Sequence, residues 1–171
     1  LLEISLIQRF TRVLGEPEWS MTAVLSTLLL TSSAGSILLA GRFDWTPRRS
    51  CIAAAVAGVA GAFLLPPFLD LIASQPLPTR VLCTNGFIAP LGVAKGTPFP
   101  AVMRRLTNDP LLAWGWAQNS LFAVCGSIVG LILDSTLGLT AVAICATGSY
   151  IAAWKAWSAA EREGRRHPAG F

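Results

Sequence analysis

The groups in this chain that could do chemistry are a few polar side chains set inside long apolar stretches. Glu3 and Lys95 carry charge, and Asn85, Gln118 and Asn119 are their uncharged companions. A charge at bilayer depth costs about 2.5–3.5 kcal/mol on insertion scales, so it needs either a partner or a function. These five residues are therefore the candidate binding site.

Two interpretations of these polar residues stay open. In the first, they line a site in the membrane that binds a small solute or a proton. Pro90 and Gly96 favour it, because broken helices are tolerated where they are buried or face a cavity. In the second, Glu3 and Lys95 form an ion pair that only fixes helix register. Helical rise puts Lys95 and Asn119 at similar depth, so we expect a hydrogen bond between them, with Glu3 as the counter-charge.

The sequence lacks the residues needed for a buried metal centre or for nucleophilic catalysis. The only histidine is His167 near the polar end of the chain, so no apolar segment offers a histidine to haem, copper or zinc. There is no Gly-rich phosphate loop. We predict no catalytic residue, no metal and no cofactor, and leave contact with lipid, quinone or pigment open. The four cysteines show no C-x-x-C spacing, which is typical of buried, reduced thiols: Cys51, Cys83, Cys125 and Cys145.

The elements that position these side chains are long apolar segments separated by short arginine-bearing loops. Of the 171 residues, 53% are hydrophobic and 13% charged, and the mean hydropathy is +0.59. Soluble domains carry about 25% charged residues, whereas a membrane span needs about 20 apolar ones. The pattern predicts an all-α integral membrane bundle of about five complete transmembrane helices that follow a truncated N-terminal helix. The predicted spans are 19–40, 51–72, an irregular one from 81, 112–133 and 137–157.

The predicted domain organisation is one transmembrane unit over residues 1–157, followed by a polar, frayed cytoplasmic tail over 158–171. Because Leu1 is neither a methionine nor part of a charged leader, we expect the first helix to continue a span that begins earlier. Pro66-Pro67 should bend or end the second span. Asp134-Ser135-Thr136 should form the turn between the last two spans.

The positions of the lysines and arginines predict the orientation. If every predicted span crosses, three arginines (Arg9, Arg12 and Arg80) face one side and nine cationic residues face the other. The positive-inside rule makes the richer side cytoplasmic, and it includes the C-terminus. The nine are Arg42, Arg48, Arg49, Arg104, Arg105, Lys155, Arg162, Arg165 and Arg166.

Small residues at four-residue spacing indicate where helices pack. Gly126 and Gly130 form a G-x-x-x-G motif. Similar ridges are formed by Ala54, Gly58 and Ala62 on the second span and by Ser32 and Ser36 on the first. Small residues let helix backbones approach closely in lipid. Packing within this chain is the favoured interpretation, and docking to another subunit is the alternative.

Four segments of the sequence resemble a known group of proteins. They are Glu3-Ile4-Ser5-Leu6-Ile7-Gln8-Arg9-Phe10, Leu14-Gly15-Glu16-Pro17, Gly96-Thr97-Pro98-Phe99-Pro100, and Trp114 and Trp116 with Asn119 followed by Gly126-Ser127. Together they resemble the membrane region, a major-facilitator-like module, of multi-spanning bacterial proteins that carry a spermidine-synthase-like (aminopropyltransferase-like) domain. The resemblance implies that protein precedes Leu1, that any polyamine chemistry lies outside this sequence, and that the chain resides in the bacterial inner membrane.

Two functions follow from these observations. The first is a non-catalytic membrane module of a spermidine-synthase-like protein, either anchoring or transporter-like. The alternative is an accessory structural subunit of a respiratory or photosynthetic complex, packed through its small-residue faces. The expected partners are the lipid bilayer and either other membrane subunits or a synthase-like domain. Nucleic acid is not expected, because the net charge of +4 is small and lies in the loops. A stand-alone transporter ranks last, because about five spans are too few for a pair of repeats.

Overall fold

The computed structural model describes residues 2–43, 45–106 and 109–166, and for residues 163–166 it describes the backbone alone. Leu1 and His167 lie outside the described residues. Every element within them is helical. The elements are α1 (Leu2–Leu14), α2 (Pro17–Gly35), a π-helical segment (Ser36–Arg42), α3 (Pro47–Ile72), α4 (Leu77–Lys95), α5 (Pro98–Met103), α6 (Asp109–Leu137) and α7 (Leu139–Arg166).

Within the described residues, four helices are long and apolar enough to cross a membrane. They cover Pro17–Arg42, Pro47–Ile72, Asp109–Leu137 and Leu139–Arg162. The predicted class, an all-α multi-pass membrane protein, agrees with this architecture. The predicted number of five spans is not confirmed, because α4 is not among the four. Arg80, Asn85 and Lys95 all lie in α4 and lower its hydropathy.

Neither of two interruptions suggested by the sequence ends its helix. Helix α3 continues through Pro66 and Pro67 to Ile72, so the proline pair does not end it. Helix α6 continues through Asp134-Ser135-Thr136, and the turn comes at Gly138, whose φ of +80° favours glycine. The N–H of Gly138 donates to the carbonyls of Leu133 and Asp134, which closes the end of α6.

The polar C-terminal region is also more regular than predicted. Helix α7 runs to Arg166, so the tail predicted to begin at residue 158 lies largely inside this helix. Trp157 donates from its indole Nε1 to the Glu161 carboxylate at 2.7 Å. This pair spans one helical turn and supports the helix beyond the apolar part of α7.

Helix α1 lies at the centre of the bundle and contacts α2, α3, α4, α6 and α7. Its apolar residues recur at helical spacing, and Leu2, Leu6, Phe10 and Val13 are all buried. The Phe10 ring contacts the rings of Phe68 and Phe87 edge-on, with 6.4 Å between centroids in each pair. The segment predicted to be the remnant of a span is therefore the core helix around which the others pack.

The most extensive helix–helix contact joins α2 and α4. An added Cβ on Gly35 would overlap the Val93 carbonyl, and one on Gly96 would overlap the Ser32 carbonyl. Gly92 likewise faces Thr31 with no room for a Cβ atom. Gly92 and Gly96 form a G-x-x-x-G motif that the sequence reasoning missed, and it lets two backbones touch.

The predicted packing residues fall partly in this core. In α3, Ala54 and Gly58 are buried, and Ala62 is partly buried against the core. An added Cβ on Gly58 would lie 3.6 Å from Leu2 Cδ1. Gly130 is the one buried residue of α6 among the described positions, and Gly126 is half-buried.

Candidate functional site

The Glu3 carboxylate and the Lys95 ammonium form an ion pair in the bundle. Lys95 Nζ donates to Glu3 Oε1 at 2.8 Å. Glu3 lies in the first turn of α1 and Lys95 in the last turn of α4. Lys95 therefore also complements the dipole of its own helix, because a positive charge is favourable at a helix C-terminus. The expected counter-charge relation between Glu3 and Lys95 is present in the structure.

The two charges differ in how far they are covered. The Lys95 side chain is 19% exposed, and the Glu3 side chain is 47% exposed. Tyr150 of α7, which is half-buried, lies near enough to interact electrostatically with Glu3. Sequence reasoning missed Tyr150, because nothing in the pattern of α7 marks it as facing α1.

A small cavity of 120 Å³ lies beside the pair, between α1, α2 and α4. Glu3 and Lys95 line it together with Ser32, Gly92 and three leucines, Leu25, Leu28 and Leu29. Liquid water occupies about 30 Å³ per molecule, so the cavity has room for a few waters. Sites for drug-sized ligands are larger, at about 300–1,000 Å³.

The expected hydrogen bond between Lys95 and Asn119 is wrong. Lys95 is bonded to Glu3, and Asn119 is exposed on α6 without a hydrogen-bond partner among the described residues. The physical reason is lateral position, because α1 contacts both α4 and α6 and lies between them. Gln118, half-buried on the same helix, also has no hydrogen bond within the described part of the chain.

Asn85 is also separate from the ion pair. It lies ten residues before Lys95 on α4, which is roughly 15 Å along the helix axis. Its side-chain oxygen is buried, and it has no hydrogen-bond partner among the described residues. The structure therefore brings together two of the five predicted site residues, Glu3 and Lys95, and leaves the three amides apart from them.

A second set of charged contacts ties the other end of α1 into the bundle. Arg9 Nη2 lies 3.7 Å from Asp134 Oδ1, and the Asp134 side chain is only 3% exposed. This distance is within ion-pair range but too long for a hydrogen bond. Arg80 of α4 donates from Nη1 to the Val13 carbonyl at 2.7 Å and from Nε to the Gln75 carbonyl at 2.6 Å. Sequence reasoning used these arginines only for orientation.

Taken together, polar contacts hold α1 at both of its ends. Lys95 binds Glu3 near one end of α1, and Arg80 binds the Val13 carbonyl near the other, so α4 forms polar contacts with α1 at two places.

No group of three or more metal-ligating side chains lies together in the described ranges. No protein-family model, no curated protein and no solved structure matches the chain.

Proposed function

We propose that the chain is a non-catalytic integral membrane module that anchors a larger protein, as its resemblance to the membrane region of spermidine-synthase-like proteins implies. In this proposal the Glu3–Lys95 pair holds α1 in the bundle and binds no solute. The observation that carries the proposal is the 2.8 Å contact between the two charges. It leaves each charge already neutralised by the other.

The chemistry of the adjoining cavity supports the anchoring role over a transport role. A polyamine such as spermidine carries several ammonium groups and needs several carboxylates or carbonyls to bind them. Among the described residues, the cavity offers a single carboxylate, Glu3, which is paired with Lys95, and three of its other lining residues are leucines. Its 120 Å³ is also too small for such a chain.

A spermidine titration tests this role. We expect no saturable binding to the purified protein in detergent, measured by calorimetry, and the same absence in the Glu3→Gln and Lys95→Met variants. Saturable binding by the wild-type protein that disappears in a folded Glu3→Gln variant would overturn the anchoring proposal in favour of a cation site. Circular dichroism of each variant provides the control for folding.

We further propose that the chain crosses the bacterial inner membrane five times, with its C-terminus in the cytoplasm. Helix α4 has 19 residues, which gives about 28 Å at the rise of an α-helix. This nearly matches the apolar thickness of a bilayer, about 30 Å. If α4 and α5 together form one interrupted crossing, nine cationic residues lie on the same side of the membrane as the C-terminus and three lie on the other side.

Cysteine labelling in intact cells checks this orientation. The variants Ser74→Cys and Arg162→Cys are made separately in a protein whose four native cysteines have been replaced by alanine. Residue 74 lies between α3 and α4, residue 162 lies on α7, and both are exposed. A membrane-impermeant maleimide should label position 74 from outside and position 162 only after permeabilisation. Labelling of both positions from the same side would contradict the five crossings.

A second candidate function, an accessory structural subunit, is favoured by the exposure of α6. Its large apolar side chains are uncovered along its length, for example Leu121, Phe122, Ile128 and Ile132. Gln118 and neighbouring polar groups on the same helix would find partners in an adjoining subunit. Native mass spectrometry of gently solubilised membranes separates the two: recovery of the chain with a stoichiometric second membrane protein supports the subunit role, and recovery as a lone monomer contradicts it.

A further inference from the structure

An open groove lies along the start of α3, at the end of the bundle that carries most of the arginines. It has a volume of 500 Å³ and is lined by Trp45, Arg49, Ile52, Ala53, Val56 and Ala57. Apart from Trp45, these residues recur on one face of the helix. The small side chains of Ala53 and Ala57 form its floor. Below Arg49 the groove is entirely apolar.

The charged end of the groove is defined by Arg49. Two other arginines nearby are engaged: Arg104 donates to the carbonyls of Ala40 and Gly41, and Arg48 lies over the Trp154 ring, 5.6 Å from its centroid. Within the described residues, the Arg49 guanidinium has no hydrogen-bond or ion-pair partner. Arg49 is exposed and lines the groove, so it is available to an anion.

We propose that this groove binds one anionic phospholipid, with its phosphate on the Arg49 guanidinium and an acyl chain along α3 past Ile52 and Val56. The arrangement matches the amphipathic form of a lipid: a guanidinium and an indole at the membrane interface, then an apolar channel directed into the bilayer. Guanidinium groups bind phosphate through two parallel hydrogen bonds. A soluble phosphate would leave the apolar part of the groove unused.

This inference needs α3 to span the membrane, but it does not depend on the role of the Glu3–Lys95 pair. An anionic lipid is favoured over a zwitterionic one because Arg42, Arg48 and Arg49 lie close together in sequence and, among the described residues, no acidic side chain lines the groove. A choline or ethanolamine headgroup would bring a second positive charge to this surface.

Native mass spectrometry tests the site with two probes, phosphatidylglycerol and phosphatidylcholine of identical acyl chains, titrated into the detergent-purified protein. We expect one phosphatidylglycerol to bind with higher affinity than phosphatidylcholine. Arg49→Gln should weaken phosphatidylglycerol binding about fivefold, the effect of one cationic side chain near a membrane surface, and should weaken phosphatidylcholine binding less, because choline already offsets the attraction of its phosphate. Arg49→Lys should retain only part of the affinity, because lysine keeps the charge but cannot form the two parallel hydrogen bonds.

The matched control is Arg162→Gln, which removes the same charge from an exposed position on α7 and should leave lipid binding unchanged. Equal weakening by Arg49→Gln and Arg162→Gln would overturn the proposal, since it would show bulk charge attraction without a site. Ala53→Phe fills the groove and should weaken both lipids. Unchanged binding in this variant, or displacement of the lipid by soluble glycerol phosphate, would also overturn it.

Discussion

Replacing Gly96 by alanine is expected to destabilise the bundle by about 1–3 kcal/mol, the usual cost of overpacking a well-packed interior. The new Cβ would overlap the Ser32 carbonyl oxygen, and two further backbone atoms of Ser32 would lie 2.6 Å from it. Backbone cannot move aside as a flexible side chain can, so α2 and α4 must separate. Gly35→Ala should have a similar effect, because its Cβ would meet the Val93 carbonyl from the opposite helix.

The measurement is the free energy of unfolding in mixed detergent micelles, followed by circular dichroism as sodium dodecyl sulfate is added. Gly86→Ala is the matched control on α4, since no atom lies within 4 Å of an added Cβ there. It should be neutral or slightly stabilising, because alanine favours helix more than glycine does. If Gly96→Ala and Gly86→Ala unfold at the same midpoint, α2 and α4 do not pack through glycine.

The importance of this contact could not be foreseen from the glycine spacing itself. Gly126 and Gly130 have the same four-residue spacing as Gly92 and Gly96, and the sequence gives no sign of which pair meets a neighbouring backbone. Gly92 and Gly96 were also obscured by the prolines around them, which suggest a break and not a contact face. The spacing of small residues predicts that helices approach closely, but the partner helix is set by the three-dimensional arrangement.

The apolar segments, by contrast, were predictable, because the hydrophobic length of a helix is a local property of the sequence. For the site residues, only their depth along the helix axes was predictable. Helical rise gives the depth of Lys95 and of Asn119, and that depth places them at one level. Depth gives no information about which helices are neighbours, so the position of α1 between α4 and α6 could not be foreseen. As a result Glu3, and not Asn119, is the hydrogen-bond partner of Lys95.

Removing one charge of the Glu3–Lys95 pair is expected to cost about 1.5–3 kcal/mol, the range for hydrogen bonds to charged groups. Lys95→Met leaves the Glu3 carboxylate without its partner, and Glu3→Leu leaves the Lys95 ammonium, whose side chain is 19% exposed, without its partner. The double variant should recover most of the loss, because replacing both members of a partly buried pair by apolar residues leaves no charge uncompensated. The four proteins form a double-mutant cycle for unfolding in mixed micelles.

The cycle distinguishes a structural pair from two independent charges. A coupling free energy comparable to either single loss means that Glu3 and Lys95 stabilise the bundle through each other. Additive losses would contradict the anchoring role, because they would show that each side chain contributes through other contacts. Lys155→Met is the matched control: this exposed lysine on α7 should change the unfolding free energy by no more than about 0.5 kcal/mol. A large coupling free energy, together with no spermidine binding, would show that the Glu3–Lys95 pair holds α1 at the centre of the membrane bundle.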